Sequence, residues 1–175
     1  MSKIKLFSGM DFSGKTTIIN GINEKMPSKF SIKKKFLTPI DLIENVRKRD
    51  TWLSPEEWKP LLQENIQKDI KEYKENGLIL LDSLWIIKYL AGKIEKNDKQ
   101  DEEEIIILKE LLKKYPEMDS FYITVSMNER IKRFQARAKS GNEITGSDKL
   151  IMDTDKFERR EQIYKKIVLE YFPNT

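Results

Sequence analysis

Eight residues near the N-terminus have the types and spacing of a phosphate-binding loop. Residues 9–16 read Gly-Met-Asp-Phe-Ser-Gly-Lys-Thr and match the pattern G-x-x-x-x-G-K-[ST] at every fixed position. Glycines allow the backbone to turn so tightly that successive N–H groups converge on one phosphate, and a following helix adds positive potential there. The predicted ATP phosphate-binding residues are Gly9, Asp11, Phe12, Ser13, Gly14, Lys15, Thr16 and Thr17.

Two of these side chains have predicted chemical roles of their own. Lys15, expected to be exposed at the loop, would reach the β- and γ-phosphates, and the Thr16 hydroxyl would be a ligand of Mg²⁺. The alternative is an ordinary glycine-containing turn between a strand and a helix, followed by a chance Lys-Thr pair. The predicted strand before the motif and the predicted helix after it favour the phosphate-binding interpretation.

Two carboxylates are candidates for the acceptor side of a transfer reaction. Asp82 ends the apolar run Leu78–Leu81, which is typical of a central parallel strand, and ligands bind at the carboxyl edge of such sheets. It is a candidate catalytic residue near Mg²⁺ or the acceptor; alternatively, it caps a helix over residues 84–94. Asp11, pointing away from ATP, could accept a hydrogen bond from an acceptor hydroxyl; alternatively, it is a solvent-facing loop residue.

A row of arginines precedes a segment rich in Gly, Ser, Asn and Thr. Arg133 and Arg137 lie four residues apart on one face of a predicted helix, and Arg130 lies one turn earlier. Phosphoryl transfer needs cations over the migrating group and a lid that excludes water, so we predict catalytic roles for Arg133 and Arg137 and a lid over residues 138–150. The alternative is an amphipathic helix with an ordinary solvated basic face.

Aromatic residues provide a weaker signal for nucleotide binding. Trp52, Trp58, Trp85 and Tyr89 could stack on a base, although their spacing favours packing in the core.

The elements that must position these residues alternate between strand and helix along the chain. Helix starts are signalled by Ser54-Pro55 with Glu57 and by Ser126 with Glu129, whereas the highly charged residues 95–104 indicate an exposed turn. Such alternation predicts an α/β fold with a parallel sheet of about four to five strands flanked by helices, in one domain over residues 1–175. The predicted strands are Lys3–Ser8, Phe30–Leu37 (a half-buried strand, suited to a sheet edge), Leu78–Asp82 and Phe121–Val125; the predicted helices are Lys15–Met26, Ile40–Arg47, one from Ser54 to the Asn76-Gly77 stop, residues 84–94, Ile105–Lys114, Asn128–Ala138 and Lys156–Tyr171.

The composition excludes several chemistries. The 175 residues include no Cys and no His, so disulfides, thiolate nucleophiles, Ser-His-Asp triads and His-ligated metals are excluded. The net charge of +4 is compatible with anionic ligands but too small to indicate nucleic acid binding without a motif. Since no apolar run is long enough for a signal peptide or a membrane span, we expect a soluble, cytoplasmic protein with no membrane or nucleic acid partner.

The chain resembles the thymidylate kinase-like family of P-loop nucleoside and nucleotide kinases. The resemblance is strongest over residues 7–17, where an acid follows the first glycine by two positions, and it extends to residues 76–82, 129–137 and 155–171. It implies a three-layer P-loop NTPase fold, ATP and Mg²⁺ as cofactors, a sugar hydroxyl of the acceptor bound by Asp11, and a homodimer. The Asp-Arg pair of the family is Asp82-Ser83 in this chain, so the acceptor-site arginine is missing at that position.

Three functions remain open. The first is ATP-dependent phosphorylation of a nucleoside monophosphate, in particular a deoxynucleotide, whose acceptor oxygen is already ionised and therefore needs no histidine as base. The second is a kinase of a nucleoside or another small hydroxyl compound, in which Asp82 or Asp11 would be the base. The third is a module that binds nucleotides without turnover; the Asn-Lys-x-Asp motif expected of a GTPase is not found in the sequence.

Overall fold

The parallel sheet predicted from the sequence is present. The structure is a computed structural model that describes residues 4–27, 29–33, 54–75, 78–141, 144 and 148–173. Its four described strands lie in the order β2-β3-β1-β4, and every pair is parallel. The strands are β1 (Ile4–Ser8), β2 (Phe30–Lys33), β3 (Leu78–Asp82) and β4 (Asp119–Tyr122).

Six α-helices surround this sheet within the described ranges. They are α1 (Lys15–Lys25), α2 (Pro55–Glu75), α3 (Trp85–Lys96), α4 (Glu102–Leu112), α5 (Met127–Lys139) and α6 (Thr154–Tyr171), with short 3₁₀ helices at Lys99–Asp101 and Asp148–Met152.

Apolar side chains on the two faces of the sheet produce the three layers. Leu80 of β3 packs with Ile19 of α1 on one face, whereas Ile79 and Leu81 contact the larger core on the other face. This burial on both faces is the reason that β3 is a continuous apolar run. The larger core includes Trp58, Leu62 and Ile66 of α2, Ile86, Ile87 and Leu90 of α3, Leu108 and Leu111 of α4, and Phe157, Tyr164 and Val168 of α6.

One hydrogen bond of each predicted capping box is present. The Glu57 carboxylate accepts a hydrogen bond from the Ser54 backbone N–H at 3.0 Å, and the Ser126 hydroxyl accepts one from the Glu129 N–H at 3.3 Å. Strand β2 lies at the sheet edge, as its alternation allowed. Residues 34–53, including the predicted helix Ile40–Arg47, lie outside the described part of the chain.

The prediction of an exposed turn over residues 95–104 is correct only for the middle of the segment, where residues 96–99 are exposed. Helix α3 continues to Lys96, α4 already begins at Glu102, and the Glu104 side chain is buried. Glu104 accepts hydrogen bonds from the Tyr89 hydroxyl at 2.6 Å and from Lys93 at 2.5 Å. Glu104 is therefore paired inside the molecule, whereas Glu102 and Glu103 beside it are exposed.

Candidate active site

The loop between β1 and α1 has the backbone conformation that only its glycines permit. Gly9 has a φ of +144°, and a Cβ at this position would lie 2.3 Å from the Ile123 carbonyl oxygen of the neighbouring chain segment. Gly14, with a φ of +95°, directly precedes α1 and leaves room for the Arg133 guanidinium. The loop thus closes over the first turn of α1, where N–H groups and the helix dipole favour an anion.

The Lys15 side chain folds back onto this loop. Its ammonium donates to the Met10 carbonyl at 3.1 Å and to the Ser13 hydroxyl at 3.3 Å. Lys15 is therefore half-buried, and the prediction that it is exposed was wrong. Burial lowers the pKa of Lys15, and the nearby Asp11 and Asp82 carboxylates oppose this shift only in part. A bound phosphate would supply the missing negative charge.

Asp82 and Thr16 meet across the carboxyl edge of the sheet. Asp82 is paired in register with Phe7 of β1, and its carboxylate accepts a hydrogen bond from the Thr16 hydroxyl at 2.5 Å. The helix-cap alternative for Asp82 is not supported, because α3 begins at Trp85 and Leu84 occupies its cap position. The structure places both predicted metal ligands together.

The oxygen donors at this point suit a hard cation. Hydroxyl and carboxylate oxygens are the ligands that Mg²⁺ prefers, and Mg²⁺ is commonly held by one or two protein groups together with substrate phosphates. The described ranges contain no group of three or more Asp or Glu side chains placed to hold a metal ion by themselves. Thr16 and Asp82 therefore fit a metal that arrives with a nucleotide.

Asp11 does not point freely into solvent. Its carboxylate forms an ion pair with Lys88 of α3 at 2.5 Å, and both side chains are half-buried. Sequence reasoning missed Lys88. The only sequence feature that could have marked Lys88 as a site residue is its position six residues after Asp82. It lies there on a helix whose Ile86, Ile87 and Leu90 face the core.

The three arginines of α5 have different positions. Arg133 donates to the Phe12 carbonyl at 3.1 Å, and Arg137 lies 3.7 Å from the Asp148 carboxylate. Both side chains line the same cavity as Lys15. The interpretation of a purely solvated basic face is wrong for Arg130, which is fully buried.

The aromatic candidates also separate. Trp58 is buried in the core, as predicted, and Trp52 lies outside the described residues. Trp85 and Tyr89 stack with ring centroids 4.9 Å apart, pack against the core and line the cavity. They line this cavity together with Asp11 and Asp82.

One continuous cavity of about 1220 Å³ connects these groups. Its volume exceeds the ~300–1,000 Å³ typical of a site for one small molecule. The phosphate-binding loop with Lys15 and Thr16 forms one part, and the segment from Asp82 to Lys88 forms another. The cavity is therefore large enough for two small molecules.

Comparisons with known proteins are informative at the level of structure. No protein-family model and no curated protein matches the sequence. Among solved structures, deoxyadenosine kinase from M. mycoides with bound dATP is 20% identical with a TM-score of 0.62, over 97% of this chain and 85% of that chain. Thymidylate kinase from Candida albicans is 20% identical with a TM-score of 0.64, over 99% of this chain and 81% of that chain.

These likenesses extend over nearly the whole chain and show its fold. The chain has the fold of thymidylate kinase-like P-loop kinases, as the sequence resemblance implied. In addition, no described helix is both long and apolar enough to cross a bilayer.

Proposed function

We propose that this protein is an ATP-dependent kinase that transfers a phosphoryl group to a nucleoside monophosphate, in particular a deoxynucleotide. The observation that carries the proposal is the single cavity in which the phosphate-binding loop faces a second set of charged and aromatic groups. The structural likeness to a deoxyadenosine kinase and a thymidylate kinase supports phosphoryl transfer to a nucleoside or a nucleotide.

The donor part of the cavity would bind the phosphates of ATP. The loop N–H groups and Lys15 would hold the β- and γ-phosphates, and Thr16 with Asp82 would hold Mg²⁺, which supplies charge neutralisation when bound. Arg133 and Arg137 reach the cavity from α5 and would stabilise negative charge on the migrating group. We further propose that residues 138–150, which follow these arginines, form a lid that excludes water.

The acceptor part contains a cation that can take the place of the missing arginine. Ser83 follows Asp82 where the family that the sequence resembles has arginine, but Lys88 lines the cavity from the first turn of α3. Its ammonium lies beside Asp11 and close enough to Lys15 to lower the pKa of that lysine, although burial is the larger cause. An acceptor phosphate bound by Lys88 would therefore lie next to the donor phosphates.

A neutral hydroxyl acceptor is the second candidate, and one observation favours it. Two further cations that line the cavity are already bound to carboxylates: Lys93 contacts Asp101 and Glu104, and Arg160 contacts Glu95. This pairing reduces the positive charge available to a monophosphate. With a nucleoside acceptor, Asp82 would take the hydroxyl proton as general base.

An ADP-release assay over a panel of acceptors tests both candidates. Deoxynucleoside monophosphates, ribonucleoside monophosphates and the matching nucleosides are each supplied with ATP and Mg²⁺. Turnover with a monophosphate, above the rate of ATP hydrolysis alone, is the expected result. Turnover only with nucleosides would select the second candidate, and ATP binding without turnover of any acceptor would indicate a binding module.

The remaining properties are predictions that follow from this proposal. A kinase of free nucleotides would act in the cytoplasm and would need no nucleic acid partner. The homodimer that the family resemblance implies can be tested by light scattering coupled to size-exclusion chromatography, in which a monomer mass would contradict it.

A further inference from the structure

Arg130 is a fully buried guanidinium that joins three separate parts of the chain. It donates to the Asp11 carbonyl at 2.9 Å, to the Val125 carbonyl at 3.2 Å and to the Thr124 hydroxyl at 3.1 Å. Its charge is paired with the Glu161 carboxylate of α6 at 2.5 Å. Because burying an unpaired charge is very costly, this arrangement requires all of these partners together.

The same helix holds the phosphate-binding loop at two further points. Arg133, one turn after Arg130, donates to the Phe12 carbonyl at 3.1 Å, and the Phe12 ring packs edge-to-face on Phe134 with centroids 5.7 Å apart. Helix α5 thus binds the carbonyls of two successive loop residues. Because the N–H of a trans peptide lies opposite its carbonyl, the N–H groups of Phe12 and Ser13 point away from the arginines that bind these carbonyls.

This fixation is needed because Phe12 is strained. Its φ of +61° lies in the left-handed region, which costs a non-glycine residue roughly 1–3 kcal/mol unless the surroundings impose it. Arg130 binds the Asp11 carbonyl and Arg133 binds the Phe12 carbonyl, so the peptide groups on both sides of Phe12 are held in place.

Glu161 connects the constraint to the closing helix. Its carboxylate lies on α6, accepts a hydrogen bond from the Tyr122 hydroxyl at 3.2 Å and pairs with Arg130. Burial raises the pKa of Tyr122, and the neighbouring Glu161 carboxylate adds to this effect, so the phenol remains a hydrogen-bond donor. The guanidinium of Arg130 is thereby oriented from β4 and α6.

We propose that Arg130 and Glu161 are positioning residues that fix the phosphate-binding loop in its anion-binding conformation before any ligand arrives. Neither residue needs to touch the nucleotide. The effect passes through the Asp11 carbonyl, so the closing helix determines phosphate affinity from outside the cavity. This inference depends on the proposed function only in assuming that the loop binds phosphates.

The test compares two matched variants, Glu161→Gln and Glu95→Gln. Each removes the charge of an acid that pairs with an arginine at 2.5 Å, and both pairs join α6 to another part of the chain. Only Glu161 acts on the loop through its arginine. Calorimetric titration with pyrophosphate, well below the melting temperature, should show a Kd roughly threefold to tenfold higher for Glu161→Gln, but a Kd no higher than that of the wild type for Glu95→Gln, which frees the cavity-lining Arg160.

Amide hydrogen exchange over residues 9–16 provides a readout that does not depend on ligand binding. Exchange in this loop should be faster in Glu161→Gln and unchanged in Glu95→Gln. Equal effects of the two variants on loop exchange, or no effect of either, would overturn the proposal. Failure of the wild-type protein to bind pyrophosphate would instead count against the proposed function, and loop exchange would still test the positioning role. Arg130→Lys, which keeps the charge but cannot make all four contacts, should resemble Glu161→Gln.

Discussion

Lys15 carries a charge that the protein alone neutralises only in part. Burial lowers its pKa, and the nearby carboxylates do not fully compensate, so the charged form destabilises the unliganded fold. We predict that Lys15→Met increases the free energy of unfolding at neutral pH while it weakens ADP binding roughly tenfold to hundredfold, the scale of a charge-assisted hydrogen bond. Urea unfolding and calorimetric titration of both proteins measure the two effects.

The pH dependence of this stability difference has a defined sign. The cost of charged Lys15 is fully present below its lowered native pKa and disappears as the pH rises through the ordinary value of 10.5. The stability advantage of Lys15→Met over the wild type should therefore shrink between neutral and alkaline pH. An advantage that grows with pH, or a variant less stable than the wild type at pH 7, would contradict the description of Lys15.

Lys88 is the residue on which the nature of the acceptor depends most. If it binds the acceptor phosphate, Lys88→Met should raise the KM for a nucleoside monophosphate at least roughly tenfold and leave the KM for ATP within about twofold. Initial-rate kinetics with each substrate varied in turn measure this ratio. Lys96→Met is a suitable control, since Lys96 also lines the cavity but is exposed. Equal changes in both KM values would remove Lys88 from the acceptor site.

The functional roles that could be predicted from the sequence belong to residues marked by their immediate neighbours in the chain. The phosphate-binding loop is encoded within eight residues, and Asp82 is marked by the apolar strand that it ends. Lys88, Arg130 and Glu161 acquire their roles from partners far away in the chain. A lysine or glutamate on a helix has no local signal for such a partner, so Lys88 and Glu161 were missed, and Arg130 was grouped with Arg133 and Arg137 in one basic row.

At the scale of elements, a buried polar cluster connects α3 to α4. Lys93 is bound by Asp101 at 2.7 Å and by Glu104 at 2.5 Å, and its side chain is only 15% exposed. Burial alone would lower the pKa of Lys93, but the hydrogen bonds to the two acids outweigh it and raise the pKa. The stabilisation from this lysine is therefore present below pH 10.5 and is lost as the pH rises through the raised value.

We predict that Lys93→Met destabilises the protein by about 2 kcal/mol, because two acids would lose their cation in a mostly buried place. This value is below the ~3–5 kcal/mol of a fully buried pair, since the cluster keeps some exposure to water. Lys68→Met, at an exposed helix pair, should change stability by less than about 0.5 kcal/mol. If Lys93→Met and Lys68→Met have the same urea midpoint of unfolding, the cluster around Lys93 is merely solvated.

The boundaries of helices and strands were predicted correctly where the local sequence contains a clear start or stop signal. The capping boxes at Ser54 and Ser126 marked two helix starts correctly, and the apolar run Leu78–Leu81 marked β3. The turn predicted over residues 95–104 was too long, because a run of charges normally indicates hydration. Here Asp101 and Glu104 face Lys93 across two helices, and only the tertiary contact shows that they are buried.

At the scale of the whole molecule, the fold brings distant segments to one edge of the sheet. The ends of β1, β3 and β4 meet in register at Phe7, Asp82 and Phe121, and the loops that leave this edge form the cavity. Alternation of strands and helices was sufficient to predict this architecture, because parallel strands require crossover helices. The shape of the cavity could not be predicted, since it depends on how α3, α5 and α6 pack.

Transfer of the γ-phosphate from labelled ATP tests the central claim most directly. The protein is incubated with γ-labelled ATP, Mg²⁺ and each acceptor, and the labelled products of the wild type and of Lys15→Ala are separated. The account predicts label in a nucleoside diphosphate with the wild type and a loss of at least roughly a hundredfold in Lys15→Ala, which still folds. Label that remains in ATP with every acceptor, or full transfer by Lys15→Ala, would contradict it.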